Sequence, residues 1–339
     1  MLNSARPCAS KYSPARRRAA APAGAKAYYP PQQSKIKRPT LRNGVLTIKG
    51  TERSDKIALR LQAGVPETLQ IDVGDDGSPE FTFKRSQIAK IAVDARAGND
   101  IVRIDESNGA FTDTIPTTLD GGNGRDTIAG GKGVETLLGG SGNDSLDGNG
   151  GNDLGVLGAG NDTFIWDPGD GSDVVEGQAG VDTMRFNGAN VAERVELSAN
   201  GRRLKFFREP GAITMDTAGV ERVDFNALGG ADLVTVNDLS GTNVRVVNLD
   251  LAAALGGATG DGQADRVVVN ATNGNDRIDV NGDAGGIKVS GLAATVAVSH
   301  SEAANDRLEI STLAGTDTVE SGGLAAGAIQ LFVDSVLVR

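Results

Sequence analysis

Aromatic side chains make up only 4% of this 339-residue chain, and it has one cysteine, Cys8, and one histidine, His300. Each shortage excludes something. A large conventional core draws on more aromatic area than this. With Cys8 in the basic N-terminal stretch, no disulfide can hold the rest of the chain together in any compartment. A zinc protease of the H-E-x-x-H kind needs two histidines, and that motif is absent. A G-x-S-x-G hydrolase needs a histidine base, and GGSGN at 139–143 ends in asparagine. His300, in Val-Ser-His-Ser at the end of a strand-like run, reads as a surface residue. No apolar run reaches transmembrane length.

Basic residues are scarce where phosphates would need them. Residues 1–42 hold ten Lys and Arg and no acid, which leaves 24 bases against 44 acids in 43–339. A body this acidic repels nucleic acid and suits cations. The first 42 residues mix Arg16-Arg17-Arg18, an Ala/Pro run and Pro30-Pro31 without apolar periodicity. They read as a disordered basic tail. Ala25-Lys26-Ala27 imitates a signal-peptidase site, but the Ala-Ala-Ala-Pro-Ala-Gly before it is too short and too weakly apolar for an h-region, so no clear cleavable signal peptide is expected.

What the chain has is glycine, 47 residues of it, and repetition. One repeat has a period of nine: GGNGRDTIA (121–129), GGKGVETLL (130–138), GGSGNDSLD (139–147), GNGGNDLGV (148–156) and LGAGNDTFI (157–165). Asp126, Glu135, Asp144, Asp153 and Asp162 fall at one phase. A two-residue insertion in WDPGDGSDVV carries the phase to Asp173, and GQAGVDTMRF returns it to nine at Asp182. A longer, weaker repeat surrounds this block. Gly50-Thr-Glu-Arg-Ser-Asp-Lys-Ile-Ala-Leu59 matches Ala271-Thr-Asn-Gly-Asn-Asp-Arg-Ile-Asp-Val280 and, more loosely, the stretch from Gly188 to Leu197. Each copy closes with a second acidic element, so that the acids pair as Asp55–Asp100, Glu193–Asp232 and Asp276–Asp317. Period-two apolar patterning, as in Val45-Leu46-Thr47-Ile48, says strand, and fixed-period repeats say solenoid. No stretch reads convincingly as an amphipathic helix. The chain thus divides into the tail (1–42), a β-rich first copy (43–118), the nonapeptide block (119–188), a second copy with its connector (189–270) and a third copy (271–339).

Nine such residues suit a calcium site. The glycines let six residues turn tightly, and the last three make a short strand with one inward side chain: Ile128, Leu137, Leu146 and Phe164. Gly155 leaves its rung without an apolar plug. The block carries twelve Asp or Glu between Asp120 and Asp182, against Arg125, Lys132 and Arg185. Stacking them without counterions is costly. Calcium takes six to eight oxygens at about 2.3–2.6 Å, and strands stack at about 4.7–4.9 Å, so one ion between two turns reaches both. If each coil is two nonapeptides, the stacked pairs are Asp126–Asp144, Asp144–Asp162 and Asp162–Asp182 on one edge, and Glu135–Asp153 and Asp153–Asp173 on the other.

These residues resemble the hemolysin-type, or RTX, calcium-binding repeat, whose G-G-x-G-x-D-x-U-x signature they follow over 121–182. The resemblance implies an all-β fold, a right-handed parallel β-roll, flanked here by related β-rich units. It implies Ca2+ held in the turns by Asp126, Glu135, Asp144, Asp153, Asp162, Asp173 and Asp182 and by turn carbonyls at Gly122, Gly124, Gly131, Gly133, Gly140, Gly142, Gly151 and Gly160. It also implies type I secretion, and so an extracellular or cell-surface location. The sequence departs from the pattern with Glu135 for Asp, Asn149 and Leu157 for glycine, and Gly155 for an apolar residue, which puts the ions at Glu135 and around the insertion in question. Asp55, Asp100, Asp232, Asp265, Asp276, Asp306 and Asp317, in half-motifs, read as turn residues capping strands rather than ligands.

Two function classes follow. The first is a secreted, calcium-folded structural or adhesive protein without enzymatic activity, whose partners are calcium ions and a cell-surface or extracellular polysaccharide. The second is a β-helical enzyme acting on extracellular polysaccharide through paired acids or Lys/Arg. Uniformly apolar rungs favour the first; a cluster of Arg or Lys beside an acidic pair, away from the turns, favours the second.

Overall fold

A computed structural model describes residues 36–283 and 285–339. The tail as read from sequence falls largely outside them. Its last residues do not behave as a tail. Ile36 is buried against the core, and Thr40–Arg42 is a strand paired antiparallel with Val45–Lys49. Leu41, flanked by polar neighbours, supplies the apolar contact that the charge-based boundary overlooked.

The described residues form strands and one short 3-10 turn at Arg85–Gln87. Among them no helix is long and apolar enough to cross a membrane. The strands lie in two sheets, of 15 and 14 strands. Along the nonapeptide block each coil gives one strand to each sheet, and successive coils pair in parallel. Thr117–Asn123, Glu135–Ser141, Leu154–Ala159 and Val174–Ala179 follow one another in the larger sheet. Thr127–Ala129, Ser145–Asp147, Thr163–Trp166 and Thr183–Asn187 do so in the smaller.

Alternation decides what lies between the sheets, because side chains of a strand point to opposite faces in turn. Leu119, Leu137, Gly155 and Val175 stack in register in one sheet, and Ile128, Leu146, Phe164 and Met184 in the other. Gly155 is the gap in this series, and the structure fills it. A methyl group there would lie 2.6 Å from Cε2 of Phe164, whose ring occupies the slot. Leu157, an outsider among the glycines by sequence, is fully buried and extends the core. Asn149, the other outsider, adopts φ 55°, a left-handed conformation that asparagine tolerates better than most residues.

The longer repeat is a three-stranded antiparallel meander set into the stack. Lys56–Gln62, Val65–Val73 and Phe81–Lys84 form the first. Arg194–Asn200, Arg203–Glu209 and Ile213–Ala218 form the second. Arg277–Asp283, Gly286–Ser290 and Thr295–Ser299 form the third. In every copy the first strand begins just after the first acid and pairs in parallel with the strand just after the second. One hydrophobic core runs continuously from Ile36 to Leu331. Where the block meets the second copy it turns aromatic. Trp166 stacks on Phe186 with centroids 3.9 Å apart, and Phe206 lies beyond Phe186 at 4.4 Å. The indole Nε1–H donates to the carbonyl of Gly171, inside the two-residue insertion.

Candidate metal centre

Each acid at the sixth position of a nonapeptide stands at the entrance to a strand, and its backbone is bound on both sides. The Asp126 N–H donates to Oδ1 of Asp144 at 2.8 Å, Asp144 to Asp162 at 2.7 Å, and Asp162 to Asp182 at 3.0 Å. The Asp126 carbonyl accepts from Ser145, and that of Asp144 from Thr163. On the opposite edge Glu135 donates to Asp153 at 2.6 Å and Asp153 to Asp173 at 2.8 Å. The stacking pairs expected from an eighteen-residue coil are therefore the pairs present, with the insertion lengthening two steps to 20 residues.

The residue before the acid works in the other direction. Asn143 Oδ1 accepts from the N–H of Asn161, Asn152 Oδ1 from Ser172, and Asn161 Oδ1 from Val181, each at 2.9 Å. In a Gly-Asn-Asp turn the asparagine thus ties to the coil after it and the aspartate to the coil before it. Glycine two residues before the acid is fixed by close approach. At Gly142, φ is 143° and a methyl group would fall 1.6 Å from the carbonyl oxygen of Gly124. Gly160 stands in the same relation to Gly142. The carbonyls of Gly122, Gly140, Gly133 and Gly151 likewise face the turn of the next coil. Gly131 differs: its N–H donates to Glu135 Oε2 at 2.7 Å, so the longer side chain folds back onto its own turn.

One oxygen of each carboxylate thus has a backbone partner, and the other has none. The second oxygens of Asp126, Asp144, Asp153, Asp162, Asp173 and Asp182, and Oε1 of Glu135, are buried and take no hydrogen bond. These are the seven acids that the repeat pattern picks out. A buried oxygen without a donor is costly, and native proteins contain few of them. The free oxygens are not scattered. A methyl group on Gly121 would lie 2.6 Å from Oδ2 of Asp126 and 2.9 Å from the carbonyl oxygen of Gly139. On Gly139 it would lie 2.9 Å from Asp144 Oδ2 and 2.2 Å from the carbonyl of Leu157. On Gly177 it would meet Asp182 Oδ2 at 2.8 Å and the carbonyl of Gly219 at 1.8 Å. At Asp126, Asp144 and Asp182 the free carboxylate oxygen and a carbonyl of a neighbouring coil therefore flank a position that glycine leaves open.

This donor set is anionic, hard and oxygen-only, and it fits Ca2+. Among the described residues no three acidic, His or Cys side chains converge on one point. An ion here would draw on the turn carboxylates and would complete its shell from carbonyls. The electrostatics agree. Burial raises Asp144 to about 6, and Asp126 and Asp162 on either side of it add to the rise. Burial also raises Asp173 and Asp182 to about 7 and Asp153 to about 8. A bound divalent cation supplies the positive charge that these sites lack.

Two further acids, read from sequence as turn residues that cap strands, share the feature. Oδ2 of Asp100 and Oδ2 of Asp232 are also buried and unpartnered. Each follows a left-handed glycine by two residues, Gly98 at φ 134° and Gly230 at φ 125°, but Asp317 follows Gly315 at φ 129° in the same way, so the G-x-D spacing alone does not mark them out. Asp55, Asp276 and Asp306 behave as turn caps. Their second oxygens accept from the N–H groups of Thr51, Thr272 and Glu302, four residues back. Glu193 is saturated differently: Arg208 Nε donates to its Oε1 at 2.6 Å, so a guanidinium stands there as the counterion.

The RTX calcium-binding nonapeptide repeat family matches the chain in four copies, over residues 118–134, 129–164 and 169–190. No curated protein matches it. The segment from 118 to 190 is thus an RTX repeat block, and the cofactor of this chain is Ca2+.

Proposed function

We propose that the chain is a secreted structural or adhesive protein whose repeat block folds on calcium through Asp126, Glu135, Asp144, Asp153, Asp162, Asp173 and Asp182, with turn carbonyls completing each shell. One observation carries this reading: each of these seven acids has a buried oxygen without a hydrogen-bond donor. Rungs that are apolar throughout and faces that are polar suit a scaffold. Calcium binds the native block and hardly the unfolded chain, so it stabilises by mass action. The test is a calcium titration of the full chain followed by circular dichroism. β-Signal should rise in millimolar Ca2+ and fall in chelator, with Mg2+ a poor substitute because it demands tighter octahedral geometry. Equal β-signal in chelator and calcium would sink the folding claim.

A second reading is favoured by one groove. On the outer face of the 14-stranded sheet a cavity of about 560 Å3 is lined by Arg185, Arg222, Lys288, Asp224 and Asp250, among others. It is the kind of basic cluster beside acids that an enzyme on acidic polysaccharide would need. Its acids are engaged, however. Asp224 accepts from Arg222 and Asn248, and Asp250 contacts His300 at 2.6 Å. The groove therefore suits binding of an anionic saccharide better than paired-acid catalysis. Incubation with uronate-rich polysaccharide separates the two: retention without new reducing or unsaturated ends supports binding, and product formation supports the enzyme.

A further inference from the structure

Among the described acids beyond residue 190, Asp232 alone has a buried carboxylate oxygen without a hydrogen-bond partner. Asp232 is 3% exposed, its Oδ1 accepts from the N–H of Glu193 at 2.7 Å, and its Oδ2 has no partner. Its own N–H donates to Oδ1 of Asp265 at 2.9 Å, and Asp265 donates in turn to Asp306 at 3.0 Å. This repeats the carboxylate ladder of the nonapeptide turns at spacings of 33 and 41 residues, where no nonapeptide exists.

The segment Leu251–Asp265 between two strands brings in another acid. Asp261 Oδ2 accepts from the N–H of Gly230 at 2.7 Å, and its Oδ1 from Gln263 at 2.8 Å. A methyl group on Gly229 would lie 2.8 Å from the amide oxygen of Asn190 and 3.5 Å from Oδ2 of Asp261. Oxygens from two separate segments thus lie against the Gly229–Gly230 turn, which leads directly into Asp232. The charged groups that chiefly raise Asp232 are acidic: Asp265, Glu193 and Asp261. The same holds for Asp265, which feels Asp306, Asp261 and Glu302. Glu193 in the same ladder is neutralised by Arg208, whereas Asp232 Oδ2 has no hydrogen-bond donor.

We propose that Asp232 and Asp261, with the Asn190 amide oxygen and turn carbonyls, form a calcium site outside the nonapeptide block. The ligands are hard oxygens with two carboxylates, which suits Ca2+ over softer metals. The site follows the coordination chemistry read for the block but uses none of its residues.

The test uses the full chain with Ca2+ as the probe. Ions bound per chain are counted by equilibrium dialysis for the parent, Asp232→Asn, Asp261→Asn and the block control Asp144→Asn. Asp232→Asn and Asp261→Asn should each bind one ion fewer than the parent. Thermal unfolding supplies a second readout. Asp232→Asn removes a buried charge that lacks a counterion, so it should melt at or above the parent in chelator and below it in calcium. A merely structural Asp232 would lower the melting temperature equally in both. Should Asp232→Asn fail to fold, Asp261→Asn carries the count, since its bonds lie within half-exposed turns. Parent stoichiometry in both variants, with Asp144→Asn losing ions, overturns this site and leaves the block intact. Loss in Asp232→Asn and Asp261→Asn with none in Asp144→Asn supports this site and overturns the block assignment. Loss in none overturns both.

Discussion

Asp144 sits mid-ladder. Its Oδ1 holds the N–H of Asp126, its own N–H reaches Asp162, and its free Oδ2 faces the turn opening at Gly139. Asp144→Ala removes an anionic ligand and also strands the buried amide of Asp126, which costs about 1–3 kcal/mol without any ion. It should raise the calcium midpoint of the β-signal and lower its cooperativity, because each coil forms on its neighbours. Glu135→Ala should shift the midpoint less. Glu135 stands at the end of its ladder and already spends one oxygen on Gly131. A titration of both variants beside the parent checks the order; an Asp144→Ala curve that overlays the parent's would show that the nonapeptide carboxylates are not the ligands. The acids were legible in sequence because a fixed phase of nine leaves little else to explain them. The role of the asparagines before Asp144, Asp153 and Asp162 was not, since their bonds to the following coil exist only once the coils are stacked.

At the scale of the element, a coil is a strand pair closed by two acidic turns, and its charge depends on pH. Asp144 lies at about 6 in the fold, Asp173 and Asp182 at about 7 and Asp153 at about 8, against an ordinary value of 3.8. Burial is the main cause, so without calcium the folded block holds protons that the unfolded chain releases. The resulting stability is full below the unfolded value and is lost as pH rises through the folded values. In chelator the block should therefore be more folded at pH 5 than at pH 8. In calcium the order should reverse, because protons compete for the ligands. Circular dichroism at both pH values with and without chelator tests this; the same order in both would refute it. Packing within the coil has its own test. Gly155→Ala pushes a methyl into Phe164 and should cost about 1–3 kcal/mol. Adding Phe164→Leu should relieve part of that cost, giving a coupling of about 0.5–3 kcal/mol by calorimetry. Strictly additive losses would mean that the ring does not fill the glycine's slot. Sequence alone showed a missing plug at Gly155; that a residue from the opposite sheet supplies it is information about three dimensions.

For the whole molecule, the sequence carried the all-β class and the parallel stack of the repeat block, since period nine and period two both survive into the structure. The long repeat was visible as three pairs of acids, but its antiparallel meanders were not. The hairpin strands between the paired acids carry little sequence likeness, and only the acid positions and the strand after each recur. Charge misled at the N-terminal boundary, where Thr40–Arg42 is basic by composition and a strand by pairing. It also hid the difference between Asp232 and Asp276, which differ in whether a local amide reaches the second oxygen.

The seam between the block and the second meander has a consequence for observing the protein. The chain's one tryptophan, Trp166, is fully buried there, with Phe186 on one face and the Arg208 guanidinium 5.2 Å from the ring centroid. Its indole proton is held by a carbonyl of the insertion that precedes Asp173. The tryptophan is thus an optical gauge of whether the last calcium coil is seated on the rest of the molecule. Its emission should lie toward the blue in calcium and shift red in chelator, with no label needed. Set beside the far-ultraviolet signal of the whole chain, it tells a block that melts as one unit from a block that peels away from its C-terminal neighbour first. Coincident transitions mean the former, and an indole shift at higher calcium than the loss of β-signal means the latter.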